Sequence, residues 1–124
     1  MSMHLRHLGL PVRDHQRSME FYTRYFGFDP ATAQTYPDGT VIVRDGDRFD
    51  LALHLADEVA APTGFLHFGF ALPDAGAVRG LRSQLQDEGV QIVEQDEQPD
   101  HVSFKCLDPD GWRVEVYWDA DPQR

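Results

Sequence analysis

One eight-residue pattern occurs twice in this chain and limits the folds open to it. The segments HLGLPVRD, His7 to Asp14, and HFGFALPD, His67 to Asp74, share the order His-x-Gly-apolar-x-apolar-x-Asp. The two copies start 60 residues apart in a chain of 124 residues. Self-similarity at a fixed offset indicates structural repetition. The sequence therefore predicts two related half-domains that each begin with the same kind of strand.

The residues after each copy extend the repeat into a helix. Asp14 and Asp74 are good N-cap residues, and each precedes a stripe of apolar residues at helical spacing. Glycine follows each stripe, as it does after many helices. We expect one helix to end at Gly27 and the other at Gly89.

Segments of β character follow each helix and are separated by turn residues. They are TVIVRDGD and FDLALHL in the first half, then VQIVEQ, HVSFKCL and WRVEVYW in the second, with short hairpins at Asp45-Gly46 and Asp110-Gly111. Each half therefore reads as β-α-β-β-β. The predicted fold class is α+β, with two tandem βαβββ modules forming a curved, partly open mixed sheet around a concavity, helices outside.

The length favours one domain spanning residues 1–124. We place module one at about residues 1–56, a linker at about 57–64 and module two at about 65–120.

Side chains alternate across a strand, so each strand can be divided into two faces. One face is apolar in each of four strands, including Leu51, Leu53 and Leu55. The opposite face collects small residues and metal-ligand types, namely Gly9, Ala52, Gly69 and Ala71 with His7, His54, His67 and Glu115. Small residues leave a concave surface of the kind that ligand sites prefer.

Two imidazoles and a carboxylate form a facial triad suited to Fe(II), Zn(II), Ni(II) or Mn(II). His7, His67 and Glu115 are therefore the candidate metal ligands. Arg113 and Tyr117 share the face of Glu115 two residues away on either side. Arg113 could hold a substrate carboxylate or pair with an acidic neighbour.

Each of these residues also has a structural explanation when taken singly. A histidine at a strand start is more often a surface or core residue than a ligand, and Glu115 could lie on the solvated side of an edge strand. His4, His15 and His101 have no partner spacing, and we expect them to be solvent-exposed. Cys106 is expected to be a buried strand residue without a lowered thiol pKa.

The paired modules, the segments HLGLPV and HFGFAL, and the terminal DPDGWRVEV together resemble the vicinal oxygen chelate superfamily. That superfamily includes glyoxalase I, extradiol dioxygenases, fosfomycin-resistance transferases and bleomycin-resistance proteins. The resemblance covers nearly the whole chain. Its most specific element is Asp108-Pro109-Asp110-Gly111-x-x-x-Glu115, in which a hairpin turn leads into the ligand strand.

The resemblance implies that His7, His67 and Glu115 are metal ligands, one from the first strand of each module and one from the last strand. In glyoxalase I a fourth ligand comes from the last strand of the first module; His54 is the nearest candidate there, although the alignment could slip by two residues, to Ala52. The implied substrate is a small molecule that chelates the ion through two vicinal oxygens. His54, Tyr117 or a detached Glu115 would then move the proton.

Residue differences from three subfamilies argue against fosfomycin transfer and weaken, without excluding, the expectation of aromatic ring cleavage. The chain has Gly9 where fosfomycin transferases usually have Thr, and the segment from Glu94 to Asp100 is acidic where those enzymes are basic. It has Lys105 where extradiol dioxygenases usually have Tyr. Bleomycin-resistance proteins lack the metal ligands that this chain retains.

The formal net charge of −10 makes a nucleic-acid partner improbable. The N-terminus has no signal-peptide pattern, no stretch suits a membrane span, and Cys106 is the single cysteine, so we expect a cytoplasmic protein. A homodimer is expected because members of the superfamily often dimerise. The alternative functions are a protein that sequesters a drug or metabolite without turnover, and a structural dimer with a vestigial site.

Overall fold

The computed structural model describes residues 1–60 and 64–121. The first unit, residues 1–60, contains β1 (His7–Val12), α1 (His15–Tyr25), β2 (Asp29–Thr35), β3 (Val41–Arg44) and β4 (Asp50–Leu55). The second, residues 61–124, contains β5 (His67–Ala71), α2 (Ala75–Asp87), β6 (Ile92–Gln98), β7 (His101–Leu107) and β8 (Arg113–Asp119). We call them module one and module two.

Each module forms one open, four-stranded mixed sheet. The strand orders are β1-β4-β3-β2 and β5-β8-β7-β6, with the first two strands of each order parallel and the other pairs antiparallel. The order is thus the same in both sheets. The predicted α+β class, with two tandem βαβββ modules, is confirmed. The single-domain organisation and the module and linker boundaries stay predictions, and residues 61–63 of the linker lie outside the described residues.

Both helices begin where the sequence predicts. The Asp14 carboxylate accepts hydrogen bonds from the backbone N–H groups of Gln16 and Arg17, at 3.1 and 3.2 Å, and Asp74 accepts one from Ala77 at 2.7 Å. These bonds satisfy N–H groups that the first turn of a helix leaves unpaired. The helices end two residues before the predicted glycines. Neither helix in the described part of the chain is long and apolar enough to cross a membrane.

The helix of each module packs on its own sheet, so one face of the sheet forms the core. Helix α1 contacts β4 and β2, while α2 contacts β7 and β8. The predicted alternation holds in β1, where Leu10 and Val12 are buried, and in β8, where Val114 and Val116 are buried. In each module the face opposite the core therefore carries the candidate ligands, His7 in module one and His67 and Glu115 in module two.

Strand β4 departs from the predicted alternation at two positions. Ala52 is buried, with 1% of its surface exposed, although it was assigned to the open face. Leu55 was assigned to the apolar face and is 54% exposed. Leu55 is the last residue of the strand and Ala52 lies in its middle, so position along the strand overrides the alternation at both residues.

The two hairpins before the last strands have the same internal geometry. Asp108 Oδ1 accepts hydrogen bonds from the backbone N–H groups of Asp110 and Trp112, both at 2.9 Å. Asp45 makes the matching bonds in module one, to Asp47 at 2.9 Å and Phe49 at 2.8 Å. These turns set the registers that place His54 and Glu115 on their sheets.

Candidate metal and proton-transfer site

Glu115 lies on the open face of module two, directly over a glycine. Strand pairing places it opposite Gly69 in the β5-β8 ladder. A Cβ atom added at Gly69 would lie 3.3 Å from both Cβ and Oε2 of Glu115. The glycine of the second His-x-Gly segment thus leaves room for the carboxylate.

His67 contacts the backbone with one ring nitrogen and points the other toward the Glu115 carboxylate. Its Nδ1 lies 2.7 Å from the backbone oxygen of Phe65, and its Nε2 lies 3.7 Å from Glu115 Oε2. A carbonyl oxygen can only accept, so Nδ1 carries the hydrogen of this bond. In the neutral imidazole, Nε2 then presents a lone pair to a carboxylate oxygen. Two such acceptors at this separation suit a cation that binds both of them.

The pair fits the requirements of a divalent cation. Metal–nitrogen and metal–oxygen bonds of about 2.0–2.2 Å place two ligands on one tetrahedral ion about 3.4 Å apart. The observed separation of 3.7 Å is close to that value. The bond from Nδ1 to a carbonyl is also the outer contact that ligating histidines usually make.

His7 occupies the equivalent position in module one. Its Nδ1 faces Asp50 Oδ2 at 3.8 Å, and Asp50 is held in turn by Arg44, whose Nε donates to Oδ1 at 2.9 Å. The His7 side chain is 58% exposed. As in His67, an oxygen lies on the Nδ1 side of the ring, so Nε2 is the nitrogen that could bind a metal ion.

His54 lies on the open face of module one and leans over the first repeated glycine. Its Nδ1 is 3.0 Å from Thr40 Oγ1. A Cβ added at Gly9 would lie 3.0 Å from His54 Nε2 and 3.3 Å from its Cδ2. The two glycines therefore play one role: Gly9 admits an imidazole, and Gly69 admits a carboxylate.

The strand registers settle which residue of module one corresponds to Glu115. Glu115 is paired with Gly69, and Ala52 is paired with Gly9. His54 is paired with Pro11, as Tyr117 is with Ala71. The position equivalent to Glu115 is thus Ala52, which has no ligand atom, and His54 comes from the next residue on that face.

The structure brings some of the predicted residues together within a module. His67 and Glu115 are adjacent, and Arg113 and Tyr117 are half-buried on the same face of β8. No group of three His, Cys, Asp or Glu side chains that could hold an ion is present among residues 1–60 and 64–121. The joining of His7 to the pair in module two stays a prediction.

Two further features of module two surround Glu115 and Tyr117. Lys105, opposite Glu115 in the β7-β8 ladder, donates from Nζ to Glu94 Oε2 at 2.7 Å. A depression of about 460 Å³ is lined by residues 71–73 and 117–120. Tyr117 therefore borders a concavity with space for a small molecule.

The expectation of solvent exposure is wrong for His15, which is half-buried with its Nδ1 shielded from solvent, and for His101. His101 is half-buried, with Nδ1 2.5 Å from Asp119 Oδ1 and Nε2 3.0 Å from Ser103 Oγ. The β7-β8 register pairs His101 with Asp119. Only that register, set by the Asp108 turn, could have revealed the contact from the sequence.

Thr40 is the contact of the candidate site that sequence reasoning missed. The β3-β4 hairpin pairs Val41 with Leu53, which places Thr40, one residue earlier, opposite His54. Thr40 precedes the strand and resembles an ordinary turn residue in the segment PDGT. Counting outward from a two-residue turn at Asp45-Gly46 would pair Thr40 with Leu51, so the contact follows only from the observed loop of residues 45–49.

Comparisons with known proteins agree with the fold. Residues 4–116 match the model of the Glyoxalase/Bleomycin resistance protein/Dioxygenase superfamily. A trivalent organoarsenical cleaving enzyme from Bacillus sp. (strain MD1) is 26% identical over 126 residues, covering 94% of this chain and 73% of that enzyme.

Solved structures show the same fold. A possible glyoxalase from Bacillus cereus superposes with a TM-score of 0.78 at 28% identity, covering 93% of this chain and 98% of that one. The fosfomycin resistance protein FosX from Listeria monocytogenes gives a TM-score of 0.79 at 16% identity, covering 95% and 94% of the two chains. The repeated modules, their registers and the match over residues 4–116 lead to one conclusion: the chain belongs to the Glyoxalase/Bleomycin resistance protein/Dioxygenase superfamily.

Proposed function

We propose that this chain is a metal-dependent enzyme that acts on a small, oxygen-rich substrate. A divalent ion, Fe, Zn, Ni or Mn, is held by His7, His67 and Glu115. The main support is the pair of His67 Nε2 and Glu115 Oε2, 3.7 Å apart, with His67 Nδ1 already bonded to a carbonyl. When bound, the ion would polarise two vicinal oxygens of the substrate and stabilise negative charge developing on them.

The other residues of the open faces bind substrate and move protons. His54 is the first candidate for proton transfer because Nε2 lies over Gly9 on the open face. Tyr117 borders the depression in module two and is the second, and Glu115 is a third. Arg113 carries a fixed positive charge on the face of Glu115 and suits a substrate carboxylate. These roles fit a lyase or isomerase as well as an Fe(II) dioxygenase.

Cleavage of trivalent organoarsenicals, the activity named for the Bacillus relative, is not part of this proposal. Arsenic in that state is a soft centre that favours thiolate ligands, and Cys106 is the single cysteine. Cys106 is fully buried, and burial, with Asp108 nearby, raises the pKa of its thiol to about 12. A protonated, inaccessible thiol is a poor ligand for such a substrate.

The partners proposed are a small-molecule substrate and a second copy of the chain. The formal charge of −10 disfavours nucleic acid. Each sheet has open edges, β1 and β2 in one and β5 and β6 in the other. Edge strands are commonly covered by another element or another chain, which supports the homodimer.

Metal analysis tests this function. The protein is purified without chelator and without nickel affinity resin, incubated with Fe(II), Zn(II), Ni(II) or Mn(II), desalted and analysed for metal. We expect about one ion per chain in the wild type and loss of that ion in His67→Ala, because a site with three protein ligands loses one of them.

His4→Ala is the matched control, because His4 is exposed and its one described contact is with Ser2 at 3.5 Å. This variant should retain the ion. Absence of metal in the wild type, or equal metal in His67→Ala and the wild type, would contradict the proposal. Either result would favour the alternative function, a protein that sequesters a drug or metabolite without turnover and needs none of the three metal ligands.

A further inference from the structure

Three residues of module one form a chain of contacts that ends at the open face. Asp38 and Thr40 lie in the turn before β3, and His54 lies on β4. Thr40 is buried, with 7% of its surface exposed, and its Oγ1 lies 3.0 Å from His54 Nδ1. Asp38 Oδ1 accepts a hydrogen bond from the backbone N–H of Thr40 at 2.9 Å.

The negative charge of the Asp38 carboxylate lies beside the Thr40 hydroxyl and attracts its hydrogen. The backbone N–H of Thr40 has the larger effect on Asp38 and the Thr40 side chain the smaller one; both hold the pKa of Asp38 below its usual value. Asp38 is therefore ionised at neutral pH and can only accept hydrogen bonds.

A hydroxyl group has one hydrogen, and this fixes the direction of the next bond. Because an ionised carboxylate is a stronger acceptor than a neutral imidazole nitrogen, we expect the Thr40 hydrogen to point to Asp38, so that Oγ1 offers only a lone pair to His54. The Nδ1 atom of His54 must then be the donor. A neutral His54 is consequently the Nδ1–H tautomer, with an unprotonated Nε2.

In that tautomer the unprotonated Nε2 lies on the open face, where it can accept a proton. A Cβ at position 9 would lie 3.0 Å from this atom, so any residue larger than glycine would push the imidazole away. Gly9 stands two residues after His7 on the same face of β1. The lone pair of Nε2 is thus held on the face that carries the first candidate ligand.

We propose that Asp38 and Thr40 are positioning residues that hold His54 as the Nδ1–H tautomer, so that Nε2 serves as the proton acceptor over Gly9. In that step Nε2 takes a proton from a carbon or oxygen of the substrate, and the bonding electron pair stays on the substrate. The imidazolium later returns the proton within the same turnover. The catalytic part rests on the function proposed above, whereas the tautomer does not.

Ring-nitrogen NMR of the metal-free, full-length chain tests the arrangement independently of metal or activity. Long-range ¹H–¹⁵N correlation spectra are recorded at a pH where imidazoles are neutral, and His54→Gln assigns the His54 signals. We expect the wild-type protein to show a protonated Nδ1 and an unprotonated Nε2 at His54. The opposite tautomer in the wild type would overturn the proposal without any further variant.

Substitutions of Thr40 and Asp38 provide a second test in the same NMR experiment. Thr40→Val keeps the shape of the side chain but removes the hydroxyl oxygen that accepts from His54 Nδ1. The His54 Nδ1 signal should therefore move toward that of an unprotonated nitrogen. Thr40→Ser should restore the wild-type signal. Asp38→Ala should also shift it, because the hydroxyl hydrogen of Thr40 then becomes free to turn toward Nδ1.

His67 is the internal control in every spectrum. Its Nδ1 donates to the Phe65 carbonyl in module two, so it should remain the Nδ1–H tautomer in all three variants. An unchanged His54 signal in Thr40→Val would overturn the role of Thr40, and an unchanged signal in Asp38→Ala would overturn that of Asp38. Loss of metal binding would leave these spectra unaffected, so the two proposals fail separately.

Discussion

At the scale of single residues, the repeated His-x-Gly segments are explained by their glycines as much as by their histidines. Gly9 and Gly69 each face a chemically active side chain of the neighbouring parallel strand. A side chain at either position would occupy the space of His54 or Glu115. The repeat therefore preserves room on the open face of both modules.

Gly69→Ala tests this role in module two. The new Cβ would lie 3.3 Å from Glu115 Oε2 and 3.4 Å from its backbone oxygen. The carboxylate can rotate away, whereas the backbone resists, so we expect a stability loss of about 1 kcal/mol. Displacement of Glu115 should weaken Zn(II) binding about 10- to 100-fold, as loss of supporting contacts does at metal sites.

Isothermal titration with Zn(II) measures the effect of this substitution. Gly46→Ala is the control, because an added Cβ there meets nothing within 4 Å. Equal affinities in Gly69→Ala and the control would show that the glycine does not support the Glu115 site.

Residue positions on β5 and β8 could be predicted because alternation is regular there, and His67 and Glu115 do lie side by side. The assignment of His54 was harder, since strand parity allows either Ala52 or His54. The register selects Ala52 as the equivalent of Glu115. Side-chain inclination then brings His54 over Gly9, and no linear pattern contains that information.

At the scale of elements, the helices were the most predictable part of the fold. Asp14 and Asp74 cap them as expected, and the apolar stripes face the sheets. Strand β2 was not located from its sequence, DPATAQT, because most of it is exposed and it lacks alternating apolar residues. It forms because β3 offers it a ladder of backbone hydrogen bonds.

The first hairpin shows a second limit of element prediction. A turn was expected at Asp45-Gly46, yet the residue with positive φ is Arg48, at 65°. In module two the matching position is Gly111, at 89°. The bonds made by the Asp45 carboxylate set this turn, so the glycine in its sequence is not the residue that the backbone requires.

Helix α2 offers a test of stability with a built-in contrast. Gly80 is exposed within the helix, and a Cβ there meets nothing within 4 Å. Alanine at that position should raise the free energy of unfolding by about 0.5–1 kcal/mol. The expected rise in Tm is about 2–6 °C by calorimetry or circular dichroism.

Gly89→Ala should have the opposite sign. An added Cβ there also meets open space, but the backbone has φ of +84°. Alanine in that conformation is strained by about 1–2 kcal/mol, so Tm should fall. A fall in Tm for Gly80→Ala, or a rise for Gly89→Ala, would contradict the assigned backbone geometry of this helix and its end.

At the scale of the whole molecule, the two modules carry complementary parts of one proposed site. Module two holds a histidine and a carboxylate 3.7 Å apart, while module one supplies His7 and the His54 relay. The sequence predicts this division from the repeat, which supplies the two histidines, and from strand parity and the family resemblance, which supply Glu115. It does not predict Thr40 or Asp38, because their role depends on a hairpin register rather than on a motif.

We propose that one ion is ligated by one histidine from each module. X-ray absorption spectroscopy of the Zn(II)-loaded wild-type chain tests this ligand set by counting the imidazoles bound to the ion. We expect two imidazoles with oxygen donors and no sulfur, since Cys106 is buried. A single imidazole would contradict the joint site, and three would contradict the assignment of His54 to proton transfer.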